Sequence, residues 1–176
     1  QFLMDNSSQY KLSSFYLDSY ASSYSYGELF SLANEQLSLG NKRNAYLLYS
    51  LSLVYLPNNN IIYSNQISKI QNSMNNLNLE KDFIGDLNQN YNLYKITPII
   101  AGEDLAIKFD YVSEDISNYE QLTFEANEMA SYLVQNYPEY EIIFDGFVFS
   151  ASEQIPDARE FVESYNTVVT FEDLNK

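Results

Sequence analysis

The sequence predicts an α+β chain, with a helical N-terminal region followed by a small βαβ-containing domain built on a three-stranded sheet. Three observations lead there. Apolar and small residues recur at helical spacing between positions 29 and 77. From Leu105 to Tyr111 the period drops to two, the signature of a pleated strand. The charge changes abruptly near position 101: residues 1–101 carry seven acids and six bases, residues 102–176 carry 17 acids and three bases. A step that sharp marks two units with different surfaces. The expected division is a helical region over 1–80, a polar linker over 81–101 and an acidic α/β domain over 102–176.

The first helix starts at Ser25-Tyr-Gly-Glu28, a capping box. Its serine accepts an amide hydrogen of the first turn, and its glutamate reaches back to the serine N–H. Leu29, Leu32, Ala33 and Leu37 then share one face. Gly40 is suited to the left-handed residue that closes a helix, and Asn41 to capping the next one. Ala45, Tyr49, Ser52 and Leu56 mark the inner face of the second helix, which Pro57 stops before a turn at Asn58-Asn59-Asn60. Tyr63, Ile67, Ile70, Met74 and Leu77 give a third, amphipathic helix. Upstream, residues 10–26 are expected to form a further helix that places Phe15, Tyr16 and Tyr20 near this bundle.

Two short antiparallel helices with a tight turn and a period near 34 residues carry a resemblance. Residues 26–59 resemble a tetratricopeptide repeat, on Leu32, Ala33, Gly40, Asn41, Ala45, Tyr49, Ser52 and Pro57. Leu29 and Gln36 depart from the Trp and Tyr the family favours. The resemblance implies binding of a protein or peptide partner on a concave face, here Asn34, Leu37, Asn41 and Asn44, all expected to be exposed. A single repeat cannot bury its apolar face alone, so the third helix is expected to cover one side.

Residues 78–101 lose the helical period and read as a polar linker or an edge strand. Asp86, Asn88 and Asn90 occupy the first ligand positions of a calcium loop, but Tyr91 replaces the required glycine and Thr97 the closing acid. In the acidic half, Leu105, Ile107, Phe109 and Tyr111 form one buried strand face. Ser117-Asn-Tyr-Glu120 reads as a second capping box, and Tyr119, Leu122, Ala126, Met129 and Leu133 as the buried stripe of a crossover helix. Residues 141–149 read as a central strand and 167–171 as a third, with 157–165 as a short helix or part of a hairpin. Asp145 stands alone in an apolar run, either paired with Lys108 or exposed at a bulge with Gly146.

Composition removes whole classes of chemistry. There is no cysteine and no histidine, so thiolate nucleophiles, Cys/His zinc sites and imidazole-based triads are excluded. Glu114 and Asp115, at a strand's C-terminal end beside a helix start, lack the glycines of a nucleotide-binding turn and suit the helix dipole instead. No metal, cofactor or catalytic residue is therefore expected. A net charge of −15 disfavours nucleic acid and anionic membranes, and no apolar run is long enough to span a bilayer. The chain starts at Gln1 rather than Met, so an upstream piece removed in the cell or by cloning is expected, with a signal peptide, a lipoprotein leader and a membrane anchor left as alternatives. The wealth of Tyr, Asn and Ser with few Lys resembles the composition of secreted or surface proteins of AT-rich prokaryotes, which favours an extracytoplasmic location. The functional expectation is a non-catalytic protein- or peptide-interaction module. The alternative is a secreted or surface-anchored structural or ligand-binding protein.

Overall fold

The computed structural model describes residues 2–4, 10–12, 24–57, 60–77, 79, 83–157 and 162–174. Strands β1 (Phe2–Met4) and β2 (Tyr10–Leu12) pair antiparallel. A strand at 10–12 replaces the start of the helix expected over 10–26. Phe15, Tyr16 and Tyr20 lie outside the described residues.

Helix α1 (Tyr26–Ser38) begins with the expected capping box, in which Ser25 Oγ accepts the Glu28 N–H and Glu28 Oε2 accepts the Ser25 N–H at 2.7 Å. The helix ends in a Schellman motif. Gly40, at φ +87°, donates to the Leu37 carbonyl, and Asn41 donates to that of Gln36. Helix α2 (Lys42–Val54) follows, with Ala45, Leu48, Tyr49 and Ser52 fully buried against α1, where Leu29 and Ala33 are equally closed off. Small residues at the crossing let the two helices approach, and Tyr49 fills the space beside them. Helix α3 (Asn60–Asn76) covers this pair through Ile70, with Leu77 just beyond its end also buried. Asn58 and Asn59 of the expected turn, and the side chain of Tyr63, lie outside the described residues.

A short helix α4 (Leu87–Asn90) leads into β3 (Asn92–Ala101), so half of the segment expected as a linker is a strand. It pairs antiparallel with β4 (Asp104–Val112) across a tight turn at Gly102, φ +71°. Helix α5 (Tyr119–Asn136) and a 3-10 helix (Pro138–Ile142) return the chain to β5 (Gly146–Ser152), which runs parallel to β4. Strand β6 (Ser164–Thr170) closes the sheet antiparallel to β5, ahead of a final turn of helix, α6 (Phe171–Leu174). The order is β3-β4-β5-β6. The sheet thus has four strands rather than three, because period-two alternation in β3 is masked by Thr97, Pro98 and an inserted residue at Tyr94.

The βαβ unit forms as expected, with three adjustments. Asn118, not Ser117, is the N-cap of α5, accepting the Gln121 N–H. Residues 141–145 turn before β5 instead of joining it. Tyr119 is 57% exposed, while Leu122, Ala126, Met129 and Leu133 are fully buried under the sheet. Phe109, Phe147 and Phe149 lie with ring centroids 5.4–6.0 Å apart, and Phe147 also meets Phe171 edge-on at 4.9 Å. Burying each such ring contributes ~1.5–3 kcal/mol. One continuous apolar core runs from Leu29 to Phe171, through both the helices and the sheet.

Candidate functional site

The four residues expected on a concave helical face do not form an open surface. Asn44 is fully buried. Its side-chain amide donates to Gln36 Oε1 and to the backbone carbonyl of Glu139. Asn41 also donates to Gln36 Oε1, at 3.0 Å, so its side chain is unavailable to cap α2, which has no side-chain cap. Leu37 is half-buried against the core. Asn34 is exposed, but its amide donates to the Phe30 carbonyl and its oxygen accepts the Tyr49 hydroxyl at 2.9 Å. Burial pushes the Tyr49 phenol up, opposed by a hydrogen bond with Ser73 of α3.

The chain's own turn covers this polar cluster. Glu139 pairs with Arg43 at 3.1 Å, and the guanidinium lies 4.6 Å from the centre of the Tyr137 ring. A planar cation held by a carboxylate and an aromatic face is a tight clasp. Tyr140, fully buried, donates to the Phe83 carbonyl. Gln36 is the residue that sequence reasoning missed. It lies seven positions after Leu29 and three after Ala33, squarely on the buried stripe, and that spacing was the available signal.

Open, charged surface lies instead at the C-terminal ends of the parallel strands β4 and β5. Two cavities flank the start of α5 there. One, of about 620 Å³, is lined by Tyr91, Tyr111, Glu114, Asp115, Asn118 and Glu125 among others. The second, of about 510 Å³, is lined by Ser117, Tyr119, Glu153, Glu163 and Tyr165 among others. Among the described residues five carboxylates and no Lys or Arg line the pair. The edge is where ligands bind in βαβ units, because the chain diverges there and leaves a crevice.

The carboxylates are held in place by hydroxyls. Tyr91 donates to Glu128 Oε2 at 2.9 Å and Tyr111 to Glu125 Oε2 at 3.2 Å; Gln121 occupies the other Glu125 oxygen. Burial first, and then the neighbouring carboxylates, push the Tyr91 phenol up to about 12, and they raise Tyr111 further still. Both phenols therefore remain neutral donors at ordinary pH. Asp115 accepts Ser117 Oγ at 2.6 Å and the Ser117 N–H at 2.9 Å. These bonds hold its carboxyl below the usual range. Tyr119 stacks on Tyr165 with centroids 4.8 Å apart and 28° between planes, leaving an aromatic face in solvent beside Glu153 and Glu163.

The remaining candidates fall out. No group of three or more acidic side chains arranged to hold a metal occurs among the described residues, and Asp86 immediately precedes the helical turn α4. Asp145 is exposed, and its Oδ2 accepts the Leu105 N–H at 2.8 Å. Lys108 pairs with Asp110 at 2.8 Å, not with Asp145. No described helix is long and apolar enough to cross a membrane.

The fold and this edge define an α+β protein whose helical hairpin is clasped to a mixed four-stranded sheet. A scan against protein-family models, a search of curated proteins and a search of solved structures each return no match. The helices of the N-terminal half are compatible with a helical repeat, and no family model assigns them to one.

Proposed function

We propose that this chain is a non-catalytic interaction module that docks a basic segment of a protein or peptide partner. The observation that carries this reading is the acidic, tyrosine-bearing edge at the ends of β4 and β5. Glu114, Asp115, Glu125, Glu153 and Glu163 line open cavities with no Lys or Arg among the described lining residues. Lysine or arginine side chains of a partner would be steered there by the field and held by the carboxylates. The exposed face of Tyr119 offers a guanidinium a stacking surface. A partner of the helical face is less favoured, because Asn44 and Asn41 are already engaged by the protein's own residues.

The test is fluorescence anisotropy of a short arginine- and lysine-rich peptide with the full chain, compared with an acidic peptide of equal length. Binding of the basic peptide alone is expected, weakening steeply with salt. Tyr119→Ala and the pair Glu153→Gln with Glu163→Gln are each expected to weaken it about three- to tenfold, the effect of losing one cation–π contact or two surface charges. Binding that is indifferent to these substitutions, or equal for the acidic peptide, would defeat the reading.

A further inference from the structure

The sheet carries a second, different surface. Here the other face of the sheet, away from α5, carries a row made by register: Lys95 pairs with Asp110, which neighbours Ser150, which pairs with Asn166. A cavity of about 390 Å³ lies over this row, lined by Tyr94, Lys95, Lys108, Asp110, Ser150 and Ser152 and roofed by Ile155, Pro156 and Val162. That volume fits a small metabolite.

Its electrostatics invert those of the rest of the molecule. Among the described residues two lysines and one aspartate line it, one positive charge in excess, in a chain of net charge −15. Lys108 is committed to Asp110, which is only 7% exposed; Lys95 is exposed and has no ion pair among the described residues. Its position comes from a β-bulge. The register slips between Leu93 and Lys95, which adds Tyr94 to the strand. Bulges of this kind re-aim side chains beside sites.

The hydroxyls make a directed set. Tyr94 Oη and Ser152 Oγ are 3.2 Å apart, and Ser152 Oγ donates to the Gln154 carbonyl. That leaves Tyr94 as donor to Ser152 and pins the cavity roof. Ser150 is 3% exposed, lines the cavity, and its hydroxyl has no partner among the described residues. That hydroxyl is open to the cavity and available to a ligand there.

We propose that this cavity binds a small hydroxylated oxyanion, such as a sugar acid or a sugar phosphate. Lys95 meets the anionic group, Ser150 donates to or accepts from a ligand hydroxyl, and the Ile155–Pro156 roof covers the ligand's carbon face. The site is separate from the acidic edge, and failure of peptide binding there leaves it untouched.

The experiment titrates the isotope-labelled full chain with glucuronate, glucose 6-phosphate and glucose at constant ionic strength, following backbone amide shifts. Either anion is expected to move the Lys95, Asp110, Ser150 and Ser152 amides in a saturable way while glucose does not. The stronger of the two anions distinguishes carboxylate from phosphate. Lys95→Gln and Ser150→Ala are each expected to weaken binding about three- to tenfold, the range for one lost hydrogen bond or ion contact. Lys95 is exposed, so its variant tests the site without threatening the fold. The proposal is overturned if neither anion moves these amides up to ~20 mM, weaker than the millimolar end of specific affinity. It is equally overturned if glucose moves them as much, or if Lys95→Gln binds as the parent does.

Discussion

The side-chain amide of Asn44, in the second helix, bonds the backbone carbonyl of Glu139, 95 residues further along the chain. With Arg43 on the Glu139 carboxylate, two consecutive residues of α2 grip the turn that leads into β5. Helices and sheet are thus joined by polar bonds as well as by a shared apolar core.

Asn44→Ala is expected to destabilise the protein by ~1–3 kcal/mol, because the Glu139 carbonyl loses its buried donor. For a chain of this size that lowers Tm by roughly 2–10 °C. Asn34→Ala, at an exposed position, is expected to cost under ~1 kcal/mol. Thermal melts followed by circular dichroism decide it, and equal effects would show that the clasp contributes nothing.

Gly146 tolerates no side chain. A Cβ there would come within 2.5 Å of the Val169 carbonyl oxygen and 2.9 Å of the Thr170 Cα, both backbone atoms of the adjoining strand. Gly146→Ala is expected to cost ~2–3 kcal/mol through displacement of β6. Gly40→Ala meets no atom within 4 Å but must hold φ +87°, so ~1 kcal/mol is expected from backbone strain alone. Urea midpoints for the two variants give the comparison.

Phe147 touches Phe109, Phe149, Tyr140 and Phe171. Phe147→Ala is expected to cost ~3–5 kcal/mol, the range for emptying a buried ring site. Val168→Ala, at a position 64% exposed on the next strand, is expected to stay within about 0.5 kcal/mol of the parent. Chemical denaturation measures both.

Tyr91 and Tyr111 should make stability fall at high pH. Their folded-state values are raised, so the neutral phenol is favoured by folding. The associated stability is complete below the unfolded tyrosine value of about 10 and is lost as pH climbs through the folded values. Spectrophotometric titration should show Tyr91 ionising near 12, later than exposed tyrosines. Tyr91→Phe should flatten part of the alkaline decline. An unchanged profile in that variant would remove Tyr91 from the account.

Much of the helical half was legible because its signals are local. The Ser25–Glu28 box, Gly40 and the Ala33, Ala45, Tyr49 set each depend on neighbours three or four positions away. Strand β4 was legible for the same reason, since Leu105, Ile107, Phe109 and Tyr111 alternate cleanly. Strand β3 was half-hidden: Pro98 and the bulge at Tyr94 break its alternation, and only pairing with β4 makes it a strand. Tyr119 fitted the helical stripe by spacing, yet is 57% exposed and stacks on Tyr165 of the edge strand β6. The site expectation suffered most. Asn44 falls on α2 and Asn41 in the turn before it, but nothing near Asn44 in sequence announces that Glu139 covers it.

By itself, then, the order of residues determined where α1 and α2 start, that β4 extends and α5 coils, and where the negative charge collects, since periodicity, caps and net charge are short-range or additive properties. Which polar faces stay open was decided only when the turn at 138–142 closed over α2 and the strand register set an acidic edge apart from a lysine-bearing cavity. Those outcomes depend on pairs about 40 to 100 residues apart, whose meeting is fixed by chain closure and core packing rather than by anything a local window contains.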